Sequence, residues 1–308
     1  MTATTQPDVD IVLPAYNEAA IIEDSVDRLL RAAASFTFSW RVTIVDSGST
    51  DATWAVTRRI EARHPQVRAL RVDRPGRGLA LRTAWSGTDA AIVAYIDADL
   101  SGGPSAIAEL VERLREGRAD VAIASRAAPG SHAERSRLRH VLSRGYVELV
   151  QWVAQPPFLD AQCGLKALDA GLARQLLDQV VDDGWFFDTE LLLAAWKAGA
   201  EIDEVAVRWI DRSETRVRLP GTVVSDIAGL ARTTASRRTV AGPVPAGASP
   251  RRPQTPFLGA VGLGVAALTA ALLRRAGIRW SPLIAGLVGV HFAVRRVGVS
   301  TRRAWSST

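Results

Sequence analysis

The chain has 308 residues, 47% apolar and 23% charged, with a formal net charge of +6 and a single cysteine. That apolar share excludes a disordered chain, the length suits one sizeable α/β domain plus an appendage, and one cysteine excludes a disulfide-stapled scaffold. With no secretory signal pattern at the N-terminus, the sequence predicts a folded part in a reducing, cytosolic setting.

Val9-Asp-Ile-Val-Leu-Pro-Ala-Tyr-Asn-Glu18 is an apolar run ending in polar residues, which predicts a buried strand and then a helix over 19–33. Val42-Thr-Ile-Val-Asp-Ser-Gly-Ser-Thr-Asp51 repeats the pattern, with a helix over 51–63. Arg74-Pro-Gly-Arg-Gly-Leu-Ala-Leu-Arg82 reads as a glycine loop feeding a helix whose N-terminus favours anions. It lacks the last glycine of a dinucleotide fingerprint, because Leu81 stands there, and Arg82 is expected to face solvent. Strands and helices in alternation predict a mostly parallel sheet with helices on both faces, whose polar tips converge on one edge.

Val93-Ala-Tyr-Ile-Asp-Ala-Asp-Leu-Ser101 is the most informative of these segments. Asp97 and Asp99 are expected on extended backbone, pointing to one side at the strand's C-terminal end, where open α/β sheets place their ligands. Two close hard oxygen ligands suit Mg²⁺ or Mn²⁺, which keeps positions open for substrate phosphates. The bland alternative is turn chemistry, since Asp before Ser-Gly-Gly-Pro also serves a loop.

Further along, Ser125-Arg126 opens an arginine-rich stretch with Arg135, Arg137, Arg139 and Arg144, read as a loop that is either a solvated basic face or a phosphate cradle. Asp160-Ala-Gln-Cys-Gly-Leu-Lys166 and Trp185-Phe-Phe-Asp-Thr-Glu190 are two more polar clusters. Cys163 has no histidine near it in sequence and is expected to be a packed thiol. Glu190 is open between a site role and support of the helix that follows.

From 212 to 308 the chain holds 15 Lys and Arg against 2 Asp and Glu, so the body before it is net acidic. Nucleic acid is not the expected partner, because the basic residues are interleaved with two uncharged apolar runs, 257–273 and 280–294. Anionic lipid explains both properties together. The expected organisation is a catalytic domain over 1–211, a basic amphipathic interface segment over 212–240, a flexible linker over 241–256, and a two-segment membrane hairpin with a basic tail over 257–308. A spanning hairpin is favoured over an interface-lying one, although Arg274, Arg275 and Arg279 would then sit on the far side.

Leu13-Pro-Ala-Tyr-Asn-Glu18, Val45-Asp-Ser-Gly-Ser-Thr-Asp51, Arg77-Gly-Leu-Ala-Leu-Arg82, Asp97-Ala-Asp99 and Ser125-Arg126 resemble, in order and spacing, the inverting family 2 glycosyltransferases of GT-A fold. The 160–166 and 185–190 clusters, with Glu204-Val-Ala-Val-Arg-Trp209, narrow the resemblance to the polyprenyl-phosphate or dolichyl-phosphate sugar synthases. The resemblance implies a GT-A-like α/β domain in which Pro14, Tyr16, Glu18 and Asp46 form the base and ribose pocket. It places Arg77 near the nucleotide, Gln162 among the binding residues, and Arg212 and Arg216 at the donor diphosphate. Asp97 and Asp99 would hold the metal, Arg126 the lipid phosphate, and Asp188 would orient acceptor or sugar without being an obligatory base. Ser47 departs from the second acid common at its position, which leaves the base open.

The function implied is inverting transfer of one sugar, with UDP-glucose the first and GDP-mannose the second expected donor, to a polyprenyl phosphate on the cytoplasmic membrane face. Two rivals are weighed against it. A processive polysaccharide synthase would carry a Gln-x-x-Arg-Trp motif, and Ala206-Val-Arg-Trp209 lacks the Gln. A non-catalytic membrane scaffold for a lipid-sugar translocator would have no use for the acidic clusters.

Overall fold

The computed structural model describes residues 6–134 and 137–210, together with 226, 228–230, 232 and 233, and side chains throughout these except at 137–142. They fall into two compact units, one built from the residues before 136 with those from 158 to 222, the other from 136–157 with those from 223 to 238.

The first unit is a seven-stranded sheet. In chain order its strands are β1 (Val9–Ala15), β2 (Trp40–Ser47), β3 (Val67–Val72), β4 (Ile92–Ile96), β5 (Val121–Ser125), β7 (Leu165–Asp169) and β8 (Ile202–Ala206); β6 (His132–Glu134) and β9 (Arg208–Ile210) pair separately. The helices of this unit are α1 (Ile22–Ala33), α2 (Thr53–Arg63), α3 (Arg77–Ser86), α4 (Ala106–Arg115), α6 (Ala170–Leu177) and α7 (Phe187–Lys197). Strand order is β3-β2-β1-β4-β7-β5-β8, and β7 alone runs against its neighbours β4 and β5. Each parallel connection crosses over through a helix, as an alternating α/β chain requires.

The central strands are covered on both faces, so they read as near-continuous apolar runs. Val9, Ile11, Leu13, Ile44, Ala94 and Ile96 are fully or almost fully enclosed, and each large one contributes roughly 1.5–3 kcal/mol relative to exposure. Helix α1 turns Ile22, Val26 and Leu29 onto this core at i, i+4, i+7 spacing and leaves Glu23, Asp24 and Arg31 outward. Its start at Ile22 is later than the sequence suggests, because Glu18 O accepts the N–H groups of both Ile21 and Ile22 and the chain turns before the helix begins.

The register sets which ends share an edge. Ala15 lies beside Asp46 across β1 and β2, and β4 runs parallel to β1, so all three strands deliver their C-terminal loops to one side. Acids at the two edges differ in consequence. Asp10, at the opposite end of β1, is closed off by Thr43 at 2.6 Å, Arg41 at 2.7 Å and Thr88 at 2.8 Å.

In the second unit, 137–153 is a helix, α5 (Arg137–Val153), not the loop expected from its arginines. Leu138, Val141, Leu142, Leu149 and Val153 recur at helical spacing and no proline interrupts them. Arg144 pairs with Glu148 one turn on, at 3.2 Å. The described positions between 226 and 233 are helical. Among the described residues no helix is long and apolar enough to cross a membrane; the expected hairpin over 257–308, the linker, Arg212 and Arg216 lie outside them.

Candidate active site

Asp97 follows β4 directly, but the carboxylate pair is not an extended one. The strand ends at Ile96, Leu100 N–H donates to Asp97 O at 2.8 Å, and Leu100 takes a positive φ of 53°. Asp97 and Asp99 therefore sit on a tight turn, where the Asp99 side chain also accepts the Ser101 N–H at 2.9 Å. Turn chemistry and a ligand pair are not alternatives here; the turn is what brings the two acids to the sheet edge.

The Asp97 carboxylate is gripped on both sides. Arg77 Nη2 lies 2.7 Å from its Oδ1. Behind it is Gly164, whose carbonyl accepts the Asp97 N–H at 2.9 Å. A Cβ on Gly164 would stand 1.9 Å from Oδ2, so only glycine lets the carboxylate lie against that backbone. Burial pushes the Asp97 carboxyl up to about 6, against the pull of Arg77 and with a further push from the Asp99 charge. The acid is still 23% exposed in its side chain, so it meets solvent at the sheet edge.

Arg77, at the first position of α3, bridges two acids: its Nη1 donates to Asp188 Oδ2 at 3.0 Å. Its guanidinium lies 4.1 Å from the ring centre of Trp185, an exposed indole just ahead of α7. Asp188 also takes the Lys166 ammonium at 2.8 Å and the Tyr95 hydroxyl. Burial opposes its charge, but Lys166 and Arg77 outweigh it and hold the carboxyl below the usual range.

The glycine loop has a different purpose from the one its sequence suggests. A Cβ at Gly78 would meet Asp182 O at 2.6 Å and the Phe187 ring at 2.7 Å, and Leu79 N–H donates to Asp183 O at 3.2 Å. The start of α3 is thus packed against the 182–183 backbone rather than left open for an anion. Arg82, expected in solvent, donates to Leu177 O and Val180 O, both at 2.6 Å. Glu190 accepts the N–H groups of Val181 and Asp182 at 2.9 and 2.8 Å; it supports the loop ahead of α7.

Arg126 already has a partner within the protein. Its fork is closed on Asp160, with Nε and Nη2 at 2.7 and 2.6 Å, and its backbone N–H donates to the same acid at 2.8 Å. Trp209 stacks on it at 5.1 Å and is itself packed in the core. Burial opposes the charges, yet Asp160 raises the Arg126 guanidinium and Arg126 lowers the Asp160 carboxyl. A lipid phosphate would have to displace or share that carboxylate. Glu204 braces the pair by accepting the N–H groups of Leu159 and Asp160, each at 3.0 Å.

At the β1 and β2 tips, Asp46 is fully enclosed, accepts the Ser49 N–H at 3.3 Å, and has Arg71 Nε at 3.2 Å from Oδ2. Arg71 approaches as an ion pair without hydrogen-bond alignment, and Oδ2 makes no hydrogen bond. Pro14 lies across from Val45, Tyr16 projects at the rim, and Glu18 N–H donates to Thr53 Oγ1 at 2.8 Å. Asn17 joins the two tips by accepting the Thr50 N–H at 2.8 Å from a left-handed backbone that asparagine tolerates. Gln162 is half-buried between Asp160 and β7. Cys163 is enclosed and its thiol is pushed up to about 12, largely by burial, so it is a packed thiol as expected.

The structure therefore joins Asp97, Arg77 and Asp188 in one network, Arg126 with Asp160 in a second, and Pro14, Tyr16, Glu18 and Asp46 along adjacent strand tips. Sequence reasoning missed Tyr95 and Gly164. Tyr95 interrupts an otherwise aliphatic strand with one hydroxyl, and that was the available signal; nothing local marks Gly164.

Sheet order, crossover helices and an acidic strand-tip edge define a GT-A-like α/β fold. Glucosyl-3-phosphoglycerate synthase from Mycobacterium tuberculosis, solved with Mn²⁺, UDP-glucose and phosphoglyceric acid, shares it with a TM-score of 0.57 at 23% identity, over 74% of this chain and 79% of that one. The chain belongs to glycosyl transferase family 2, whose profile matches residues 10–176. It is 37% identical over 226 residues to glycosyltransferase AglD of Haloferax volcanii, a match covering 72% of this chain and 36% of that protein. It is 31% identical over 219 residues to the dolichyl-phosphate beta-glucosyltransferase of Drosophila melanogaster, covering 66% and 67%. The chain thus spans about a third of the first relative and about two thirds of the second.

Proposed function

We propose that this protein transfers one hexose, with inversion, from a nucleotide sugar to a polyprenyl phosphate at a membrane surface, with the help of a divalent cation. The observation that carries the reading is the Asp97–Asp99 turn at the C-terminal edge of the sheet, where open α/β sheets take their ligands. Its donor set fits Mg²⁺ or Mn²⁺, which binds through one or two carboxylates and completes its shell with substrate phosphates and water. The cation would neutralise charge on the departing diphosphate.

The protein's own residues account for the rest. Asp46, with one unsatisfied buried oxygen, is a hydrogen-bond acceptor for the nucleotide, beside Pro14, Tyr16 and Glu18. A phosphate monoester acceptor is already anionic, so no side chain is required to remove a proton, and catalysis asks for positioning and charge stabilisation. The enclosed state of Asp188 accords with that demand. UDP-glucose is the preferred donor and GDP-mannose the second. The names of the dolichyl-phosphate beta-glucosyltransferase relatives and the UDP-glucose held by a protein of the same fold support that order. Gln162, Arg212 and Arg216 are assigned to the donor. The basic, apolar stretch from 212 onward is assigned to anionic membrane lipids, which puts the catalytic unit on the cytoplasmic face.

Membranes containing the full chain, incubated with polyprenyl phosphate and a panel of radiolabelled nucleotide sugars, should form one labelled lipid. Excess EDTA should stop the reaction, Mg²⁺ or Mn²⁺ should restore it, and Asp99→Asn should abolish it in a protein that still folds. Undiminished transfer in EDTA would remove the cation from the reading, and no labelled lipid with any donor would remove the acceptor.

A further inference from the structure

Asp188 is an enclosed acid with neither oxygen free. It stands in the first turn of α7 with its side chain fully enclosed, and both oxygens are taken. Oδ1 accepts from Lys166 at 2.8 Å and from the Tyr95 hydroxyl, and Oδ2 accepts from Arg77 at 3.0 Å. Lys166 and Tyr95 are buried as completely. An ammonium has three donors, and those of Lys166 go to Asp188, to Cys163 O at 2.6 Å and to Tyr95 Oη at 3.1 Å. Nothing in this cluster is left over for a ligand.

Only one member leads outward. Arg77 turns its second nitrogen to Asp97 at 2.7 Å, with Trp185 covering its face, and Asp97 is the exposed end of the chain. Lys166, Asp188, Arg77 and Asp97 alternate in sign, and each buried charge has a partner on either side or a full set of donors. Such a chain gives little net stability, since removing four charges from water is costly. What it does supply is geometry: an arginine held by Asp188 and Trp185 has one orientation, and so does the Asp97 oxygen bonded to it. Groups that orient a metal ligand from behind commonly set metal affinity by about 10- to 100-fold.

We propose that Asp188, Lys166 and Tyr95 are positioning residues that act through Arg77 to aim the Asp97 carboxylate at the divalent cation, and that Asp188 neither meets substrate nor accepts a proton. The inference rests on the functional reading above. It also accounts for an acid and a lysine in clusters separated by a whole helix of sequence.

The test measures Mn²⁺ binding to the full chain in the presence of UDP, by the loss of the free-ion EPR signal, for Asp188→Asn, Lys166→Met, Arg77→Met and the Arg77→Met/Asp188→Asn double variant. Asp188→Asn should weaken Mn²⁺ about tenfold in the wild-type background and by less than about twofold when Arg77 is already gone. Lys166→Met should follow Asp188→Asn. Tyr95→Phe, which removes one hydroxyl and keeps the ring, should shift affinity in the same direction and stands in for Lys166→Met if that variant does not fold. An Asp188→Asn protein that loses transfer but binds Mn²⁺ like the wild type would overturn the proposal, because a proton acceptor or substrate contact behaves that way. A full tenfold effect persisting in the Arg77→Met background would overturn it too, by showing a through-space charge effect. If wild type binds neither UDP nor Mn²⁺, the functional reading falls and this inference falls with it.

Discussion

Replacing Gly164 by alanine tests how Asp97 is held, because the perturbation adds one methyl group where the structure has no room. The new Cβ would stand 1.9 Å from Asp97 Oδ2 and 2.3 Å from its Cγ. Ordinary contact begins near 3.4 Å, so the carboxylate must retreat by about 1.5 Å. The backbone cannot supply that movement cheaply, since Asp97 N–H is bonded to Gly164 O at 2.9 Å. The side chain has to rotate, and the 2.7 Å contact with Arg77 breaks. Overpacking of this kind costs about 1–3 kcal/mol of stability, which a domain with roughly 5–15 kcal/mol in hand survives. A displacement of about 1 Å at a reacting centre can cost about 10²-fold in rate. On the proposed function, Gly164→Ala should therefore remain folded, lose Mn²⁺ affinity in the presence of UDP, and transfer sugar about 10²-fold more slowly. Thermal unfolding, EPR titration and radiolabel transfer on the same preparation read all three. A folded variant with activity and Mn²⁺ affinity within about threefold of wild type would refute the reasoning, since the carboxylate would then tolerate a shift that the geometry forbids.

Two other perturbations have definite expected outcomes. Arg126→Ala leaves Asp160 buried without its partner and should cost about 3–5 kcal/mol in urea unfolding, whereas an arginine that served mainly to bind lipid phosphate would cost under about 1 kcal/mol. Asp97 titrates at about 6, above its ordinary 3.8, so in the cation-free protein its contribution to stability is present below pH 3.8 and is lost as pH rises through 6. Cation binding has the opposite slope because it needs the carboxylate: Mn²⁺ affinity should rise about tenfold per pH unit up to about pH 6 and then level off. An affinity that stays flat from about pH 5 to pH 7 would refute that assignment.

The alternation of apolar runs with helical segments was enough to define the α/β architecture and the shared edge of the first strands. Local patterns encode strand and helix periods directly, and right-handed parallel connections then bring the C-terminal tips together. Asp97, Asp99 and Asp46 were legible for the same reason: each follows an apolar run within a residue or two, and the end of a run is a local signal. The tertiary structure alone decided what those residues touch. Arg126 reads as a free phosphate ligand until β5 and the 158–164 segment bring Asp160 into its fork, from 34 residues away. Gly78 reads as part of an anion loop until α7 brings Phe187 against it. Nothing near Asp188 in sequence shows that β4, β7 and α3 bring Tyr95, Lys166 and Arg77 around it. A sequence states which residue is charged and where its strand ends, but whether that charge meets solvent, substrate or a partner depends on contacts between segments far apart in the chain, and those exist only once the sheet has closed around them.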